Sequence, residues 1–135
     1  MSVLKVGHLT IGWTVLALFA ASGVYLRVRA PAVYLGDEVS HMMFIANHIY
    51  LLMAGIANVA IGRYVVPVID KRGKLMQSVA LAAMTASSLL LAYAFMLEPM
   101  LGSLERPRTQ IGVILLAVGT LLHALSNLPG RQNRK

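Results

Sequence analysis

The four histidines, His8, His41, His48 and His123, are where chemistry could be built, because each falls inside or at the end of a long apolar stretch. An imidazole in hydrocarbon is costly, so each one calls for a functional reason and a named partner. Helical spacing sorts their neighbours into stripes. His8, Gly12, Val15, Phe19 and Ser22 share one face. His41, Phe44, His48, Leu51, Gly55, Asn58 and Gly62 share a second. Gly112, Leu116, Gly119, His123 and Ser126 share a third. Every histidine stripe also carries glycine.

Three chemistries fit these residues. The first is b-type haem, which takes axial imidazoles from facing helices. His8 and His123 are expected at matched depth on neighbouring helices, with Gly12 and Gly119 leaving room for a flat macrocycle. His41 and His48 lie about 10.5 Å apart along a helix axis at 1.5 Å per residue, too far to ligate one haem. The second is an ion or proton pathway in a homo-oligomer, along the polar face of His41, His48 and Asn58 with Glu98 nearby. Imidazole titrates close to neutral pH and suits that task. The third is copper: His41, Met42 and Met100, with Met43 and Met96 close in sequence, offer soft ligands for Cu(I) at an outer mouth. A ligand-free account also exists. Small residues let helices approach closely, while His, Asn and Ser hydrogen-bond across them.

The elements that must position these residues are legible in the composition. Of 135 residues, 58% are hydrophobic and 13% charged, too little charge for the surface of a soluble domain. Residues 6–26, 39–62, 75–97 and 110–128 hold no Asp, Glu, Lys or Arg. Each is close to the roughly 20 residues that cross about 30 Å of hydrocarbon as a helix. Strand alternation is absent, which argues against a barrel. Short connections with proline and glycine make consecutive helices antiparallel neighbours. The expected fold is therefore all-α, a single domain over 1–135 forming an integral membrane four-helix up-down bundle.

Charge sets the orientation. Lys5, Arg63, Lys71, Arg72, Lys74, Arg131, Arg134 and Lys135 lie at one side, against Arg27, Arg29, Arg106 and Arg108 at the other. Basic residues favour the cytoplasm, so both termini are placed there, in a bacterial inner membrane. The first apolar run exceeds the 7–15 residues of a usual leader core and reads as a retained span. On the outer side Arg27, Arg29, Asp37, Glu38, Glu98, Glu105, Arg106 and Arg108 balance in sign and are expected to form a solvated, ion-paired cap.

The chain has no cysteine, so disulfides and thiol catalysis are excluded. It has no HExxH, no glycine-rich phosphate loop and no Ser-His-Asp set. The reading is a non-enzymatic accessory or electron-transfer subunit, binding haem b through His8 and His123. Its partners would be the lipid bilayer and either itself or a larger membrane complex. Loops this short offer no surface to nucleic acid.

Overall fold

The computed structural model describes residues 2–33, 38–101 and 104–127, with backbone alone for 29–33. Leu128, Asp37, Arg131, Arg134 and Lys135 lie outside the described residues, and so does the side chain of Arg29. Four helices are present: α1 (Val3–Val33), α2 (Glu38–Tyr64), α3 (Lys71–Leu97) and α4 (Pro107–Ser126), with a 3₁₀ turn over Glu98–Leu101 after α3. All four are long and apolar enough to cross a membrane.

The helices outrun the apolar stretches at several ends because different physics sets the two limits. Apolarity marks what lipid touches, whereas a helix ends where its terminal backbone groups find partners. At the start of α3, Asp70 is extended and its carboxylate accepts the Gly73 N–H at 2.8 Å. Lys71, Arg72 and Lys74 therefore form a first helical turn rather than a loop. Such a cap is worth about 1 kcal/mol. Asp70→Ala is expected to cost that much in denaturant unfolding, and Asp70→Asn almost nothing. Helix α4 starts at Pro107, a residue pre-shaped for a first turn. The segment between α2 and α3 is held by one buried side chain. Gln77 donates to Val66 O at 2.8 Å and accepts from Val68 N at 3.2 Å.

Within the bundle α1 packs chiefly on α2, and α4 chiefly on α3. Glycine permits both close approaches. A Cβ on Gly12 would lie 2.7 Å from the Val59 backbone nitrogen, and one on Gly62 3.0 Å from that of Leu9. A Cβ on Gly119 would lie 2.5 Å from Met84 Cγ and 3.1 Å from Ala80 O. Phe44, Leu51, Ala54, Met84, Leu91, Phe95 and Leu116 fill the core between the pairs. Phe44 and Phe95 meet edge to face at 5.5 Å.

The outside is apolar, with Trp13, Leu18, Ile49, Met53, Ile56, Leu89, Ile114 and Leu121 exposed. The polar side chains turn inward: His8, Asn47, Asn58, Ser87, Ser88, Glu98, Thr109 and His123 are all buried. Lipid is the solvent that suits this distribution.

Candidate functional site

His8 on α1 and His123 on α4 meet directly. Their Nε2 atoms are 2.7 Å apart, with ring centroids at 4.6 Å and planes crossed at 71°. His8 is fully buried and His123 nearly so. The contact joins the α1/α2 pair to the α3/α4 pair, and so do the side chains behind it. Asn58 on α2 sits 2.9 Å from His8 Nδ1 through its Oδ1. The Asn58 amide donates to Ala54 O at 2.9 Å and reaches Ser88 Oγ on α3 at 3.4 Å.

Counting protons fixes the direction of each bond when both rings are neutral. The Ser88 hydroxyl donates to Met84 O at 2.9 Å, so its oxygen is left to accept. Asn58 commits its NH₂ to Ala54 O, which leaves only the acceptor Oδ1 facing His8. His8 must then carry its proton on Nδ1, and its Nε2 is a lone pair. Nε2 of His123 must therefore supply the hydrogen in the 2.7 Å contact. The last atom of the series, His123 Nδ1, is a bare acceptor. It is buried and has no hydrogen-bond partner among the described residues.

His123 is also one of the residues lining a groove of about 360 Å³ between the ends of α2 and α4. Ala60, Ile61, Val65, Val66 and Ala124 make it largely apolar, and Tyr64, Thr120 and Asn127 add polar groups. Asn127 donates its amide to His123 O at 2.9 Å. Its Oδ1 is buried and, like His123 Nδ1, has no hydrogen-bond partner among the described residues.

A second polar layer lies toward the other end of the bundle. Glu98, fully buried, accepts the backbone N–H groups of Arg108 and Thr109 through Oε1 at 2.8 and 3.2 Å. Helix α4 has no side-chain cap from Arg106, so Glu98 does that work from the preceding turn. The Thr109 hydroxyl stands between Glu98 Oε2 and Asn47 Oδ1, the latter at 3.0 Å. Asn47 also accepts from the Arg106 guanidinium and donates to Ala94 O at 3.1 Å. Arg106 lies over the Tyr50 ring at 5.8 Å, and its buried Nε has no hydrogen-bond partner among the described residues. Glu98 is thus a buried helix cap, not part of a solvated surface cluster. Asn47 and Asn58 are separated by about 16 Å along α2 at 1.5 Å per residue. Leu51, Ala54, Met84, Leu91 and Leu116 occupy the core between the two layers.

The other sequence candidates are dispersed. His48 faces α1, with its Nδ1 2.8 Å from Ser22 Oγ and its ring stacked on Phe19 at 4.1 Å. Ser22 donates to Phe19 O, so His48 Nδ1 is the donor in that pair. His48, Asn58 and Glu98 therefore belong to three separate sets of contacts. His41, Met42 and Met100 are exposed. Gly12 faces Asn58 and Val59, and Gly119 faces Met84 and Ala80, so both serve helix approach here. Among the described residues no group of three or more His, Asp or Glu gathers as a metal ligand set.

Sequence reasoning missed Asn47, Thr109 and Asn127. A signal existed for Asn47. It lies on one helical face with Met43, Ala54 and Asn58, beside the stripe drawn from His41 and His48. Compared with known proteins, the chain matches no family model, and neither a curated protein nor a solved structure is similar to it.

Proposed function

We propose that the protein is an up-down four-helix bundle of the bacterial cytoplasmic membrane, with both termini in the cytoplasm. In this reading it is a non-enzymatic, proton-handling subunit. The His8–His123 pair takes up one proton and gives it back. The observation that carries the reading is the 2.7 Å contact between the two Nε2 atoms, with one lone pair left open at His123 Nδ1.

The chemistry follows from that lone pair. A proton reaching the pair has one open nitrogen to bind, His123 Nδ1. It can remain there, or the Nε2 proton can pass to His8; in both cases His123 Nδ1 ends as a donor. The titratable groups around this centre are His8, His123 and, at the groove, Tyr64. Conduction across the whole membrane is not supported: Leu51, Ala54, Leu91 and Leu116 fill the core between Asn58 and Asn47, and the buried Ser87 hydroxyl there is committed to Gly112 O at 2.7 Å.

The test is proton uptake by full-length protein in lipid nanodiscs, read with water-soluble pH dyes as pH is stepped from 8 to 3. The double variant His8→Phe with His123→Phe keeps the ring volumes and removes both imidazoles, including the His8 Nε2 lone pair that loss of His123 alone would free. It is expected to take up one proton fewer per chain than the parent. Equal uptake by the two would contradict the reading.

A second reading keeps the same pair as axial ligands of a haem b. It is favoured by the convergence of both Nε2 atoms and by Asn58, which holds the other nitrogen of His8 as axial ligands are commonly held. Metal–imidazole bonds of about 2.0–2.1 Å would require the nitrogens to part to roughly 4 Å. Val59 and Met84, which now cover Gly12 and Gly119, would also have to move. A Soret band in protein purified after haem-replete expression would favour this reading, and its absence would count against it.

A further inference from the structure

The segment that joins α2 to α3 is built as a fixed surface. Val65 and Val68 are buried, and Gln77 holds the backbone between them through Val66 O and Val68 N. The Asp70 carboxylate pins the next turn at Gly73 N. The alternate side chains face outward: Tyr64 and Ile69 are each 83% exposed, and Val66 is also exposed.

Cations surround these apolar side chains. Arg63, Lys71, Arg72 and Lys74 are all exposed. One acidic residue accompanies them, Asp70, and its carboxylate is engaged in the helix cap. The chain's other acidic residues, Asp37, Glu38, Glu98 and Glu105, belong by sequence to the opposite ends of the helices. Helices of this length place those ends about 40 Å away at 1.5 Å per residue, several Debye lengths at physiological salt. Residues 128–135 add Arg131, Arg134 and Lys135 to the sequence and no acid. The chain therefore supplies no counter-charge for this surface.

Local structure does not account for the cations. Lys71, Arg72 and Lys74 stand in the first turn of α3, where the helix dipole is positive and disfavours them. Setting the orientation of a span requires charge near its end, but neither a rigid loop nor exposed Tyr, Val and Ile beside it. Aromatic and aliphatic side chains ringed by Lys and Arg have the chemistry of a surface that enters the headgroup region of an anionic leaflet. A soluble acidic protein would match the charge, but this loop runs directly between two membrane-length helices, which places it beside lipid.

We infer that the α2–α3 loop docks on anionic phospholipid. Tyr64, Val66 and Ile69 enter the headgroup region, and Arg63, Lys71, Arg72 and Lys74 gather acidic headgroups around them. The docking is independent of the histidine pair and of which side of the membrane carries the loop.

Ile69→Trp combined with Trp13→Phe gives a full-length chain with one indole, placed on the loop. The protein is set in nanodiscs of equal parts phosphatidylglycerol and phosphatidylcholine, with bromine on the acyl chains of one lipid or of the other. Brominated phosphatidylglycerol is expected to quench this indole as if enriched at least about threefold over phosphatidylcholine. Lys71→Gln, Arg72→Gln and Lys74→Gln together should bring the ratio close to one, and so should 1 M salt, where the Debye length is about 3 Å. In the parent, Trp13 is exposed on α1 about 15 Å along the helix from its start, and both lipids should quench it equally. Equal quenching by the two lipids at position 69 would overturn the inference, as would a preference that survives the three glutamines. An indole quenched by neither lipid would also overturn it and leave the surface to a soluble acidic partner. A measurement on the unsubstituted chain guards against misfolding. Spin-labelled phosphatidylglycerol should show a larger immobilised fraction than spin-labelled phosphatidylcholine, and equal fractions would overturn the inference as well.

Discussion

Glu98→Ala is expected to destabilise the bundle by about 2–4 kcal/mol, while Glu98→Gln changes its stability by less than about 1 kcal/mol. Alanine removes the acceptor for two backbone N–H groups, those of Arg108 and Thr109, at the start of α4. Both would be left in a site from which water is excluded, and unmade buried donors cost about 1–3 kcal/mol each. Part of the loss is offset because the Thr109 hydroxyl still has Asn47 Oδ1 at 3.0 Å. Glutamine retains a carbonyl for the two N–H groups. Its NH₂ can donate to the Thr109 oxygen, whose own proton then goes to Asn47. The pair of variants therefore separates a carbonyl requirement from a charge requirement. Equilibrium unfolding in mixed detergent micelles, followed by helical circular dichroism, reads the difference. If glutamine were as damaging as alanine, the capping role assigned to Glu98 would be wrong.

Gly12→Ala is expected to cost roughly 1–3 kcal/mol and to loosen the His8–Asn58 bond with it. The added Cβ would meet a backbone nitrogen, that of Val59, at 2.7 Å, and a backbone atom cannot swing aside as a side-chain tip can. The whole of α1 must then lift from α2. His8 sits one turn away on the same helix and faces Asn58, so the 2.9 Å bond lengthens as the helices part. Gly7→Ala is the matched control. Its Cβ would meet only the Leu81 side chain, at 3.3 Å and 3.5 Å, and the expected cost is below about 1 kcal/mol. Equal costs for the two substitutions, measured by the same micelle unfolding, would show that close approach at Gly12 is not what holds α1 to α2.

The membrane spans were legible because formal charge is excluded from four long runs, a signal that survives any arrangement of the helices. Helix ends were less legible. Asp70 and Pro107 are local stop and start signals, but they lie outside the apolar runs that drew attention. The pairing of His8 with His123 was accessible from depth alone, since each lies near the same end of its span. The purpose of the glycines was not. A stripe of Gly beside His reads equally as space for a macrocycle or as space for a neighbouring helix, and only the positions of Val59 and Met84 distinguish the two in this structure. Glu98 was drawn to the surface by its formal charge. Its burial depends on an uncapped α4 terminus, which brings two N–H donors to it from residues ten and eleven positions further along. Asn58 was seen only as part of a helix-2 face, because its real partner, His8, is fifty residues away in sequence.

The hydrogen-bond direction through Asn58, His8 and His123 underlies the proton-handling reading. Solid-state ¹⁵N magnetic resonance of histidine-labelled protein in lipid bilayers, with both rings neutral, tests it most directly. The account predicts a proton on His8 Nδ1 and on His123 Nε2, an unprotonated His123 Nδ1, and a through-hydrogen-bond coupling between the two Nε2 nuclei. A proton on Nε2 of His8, or two Nε2 nuclei with no coupling, would contradict it.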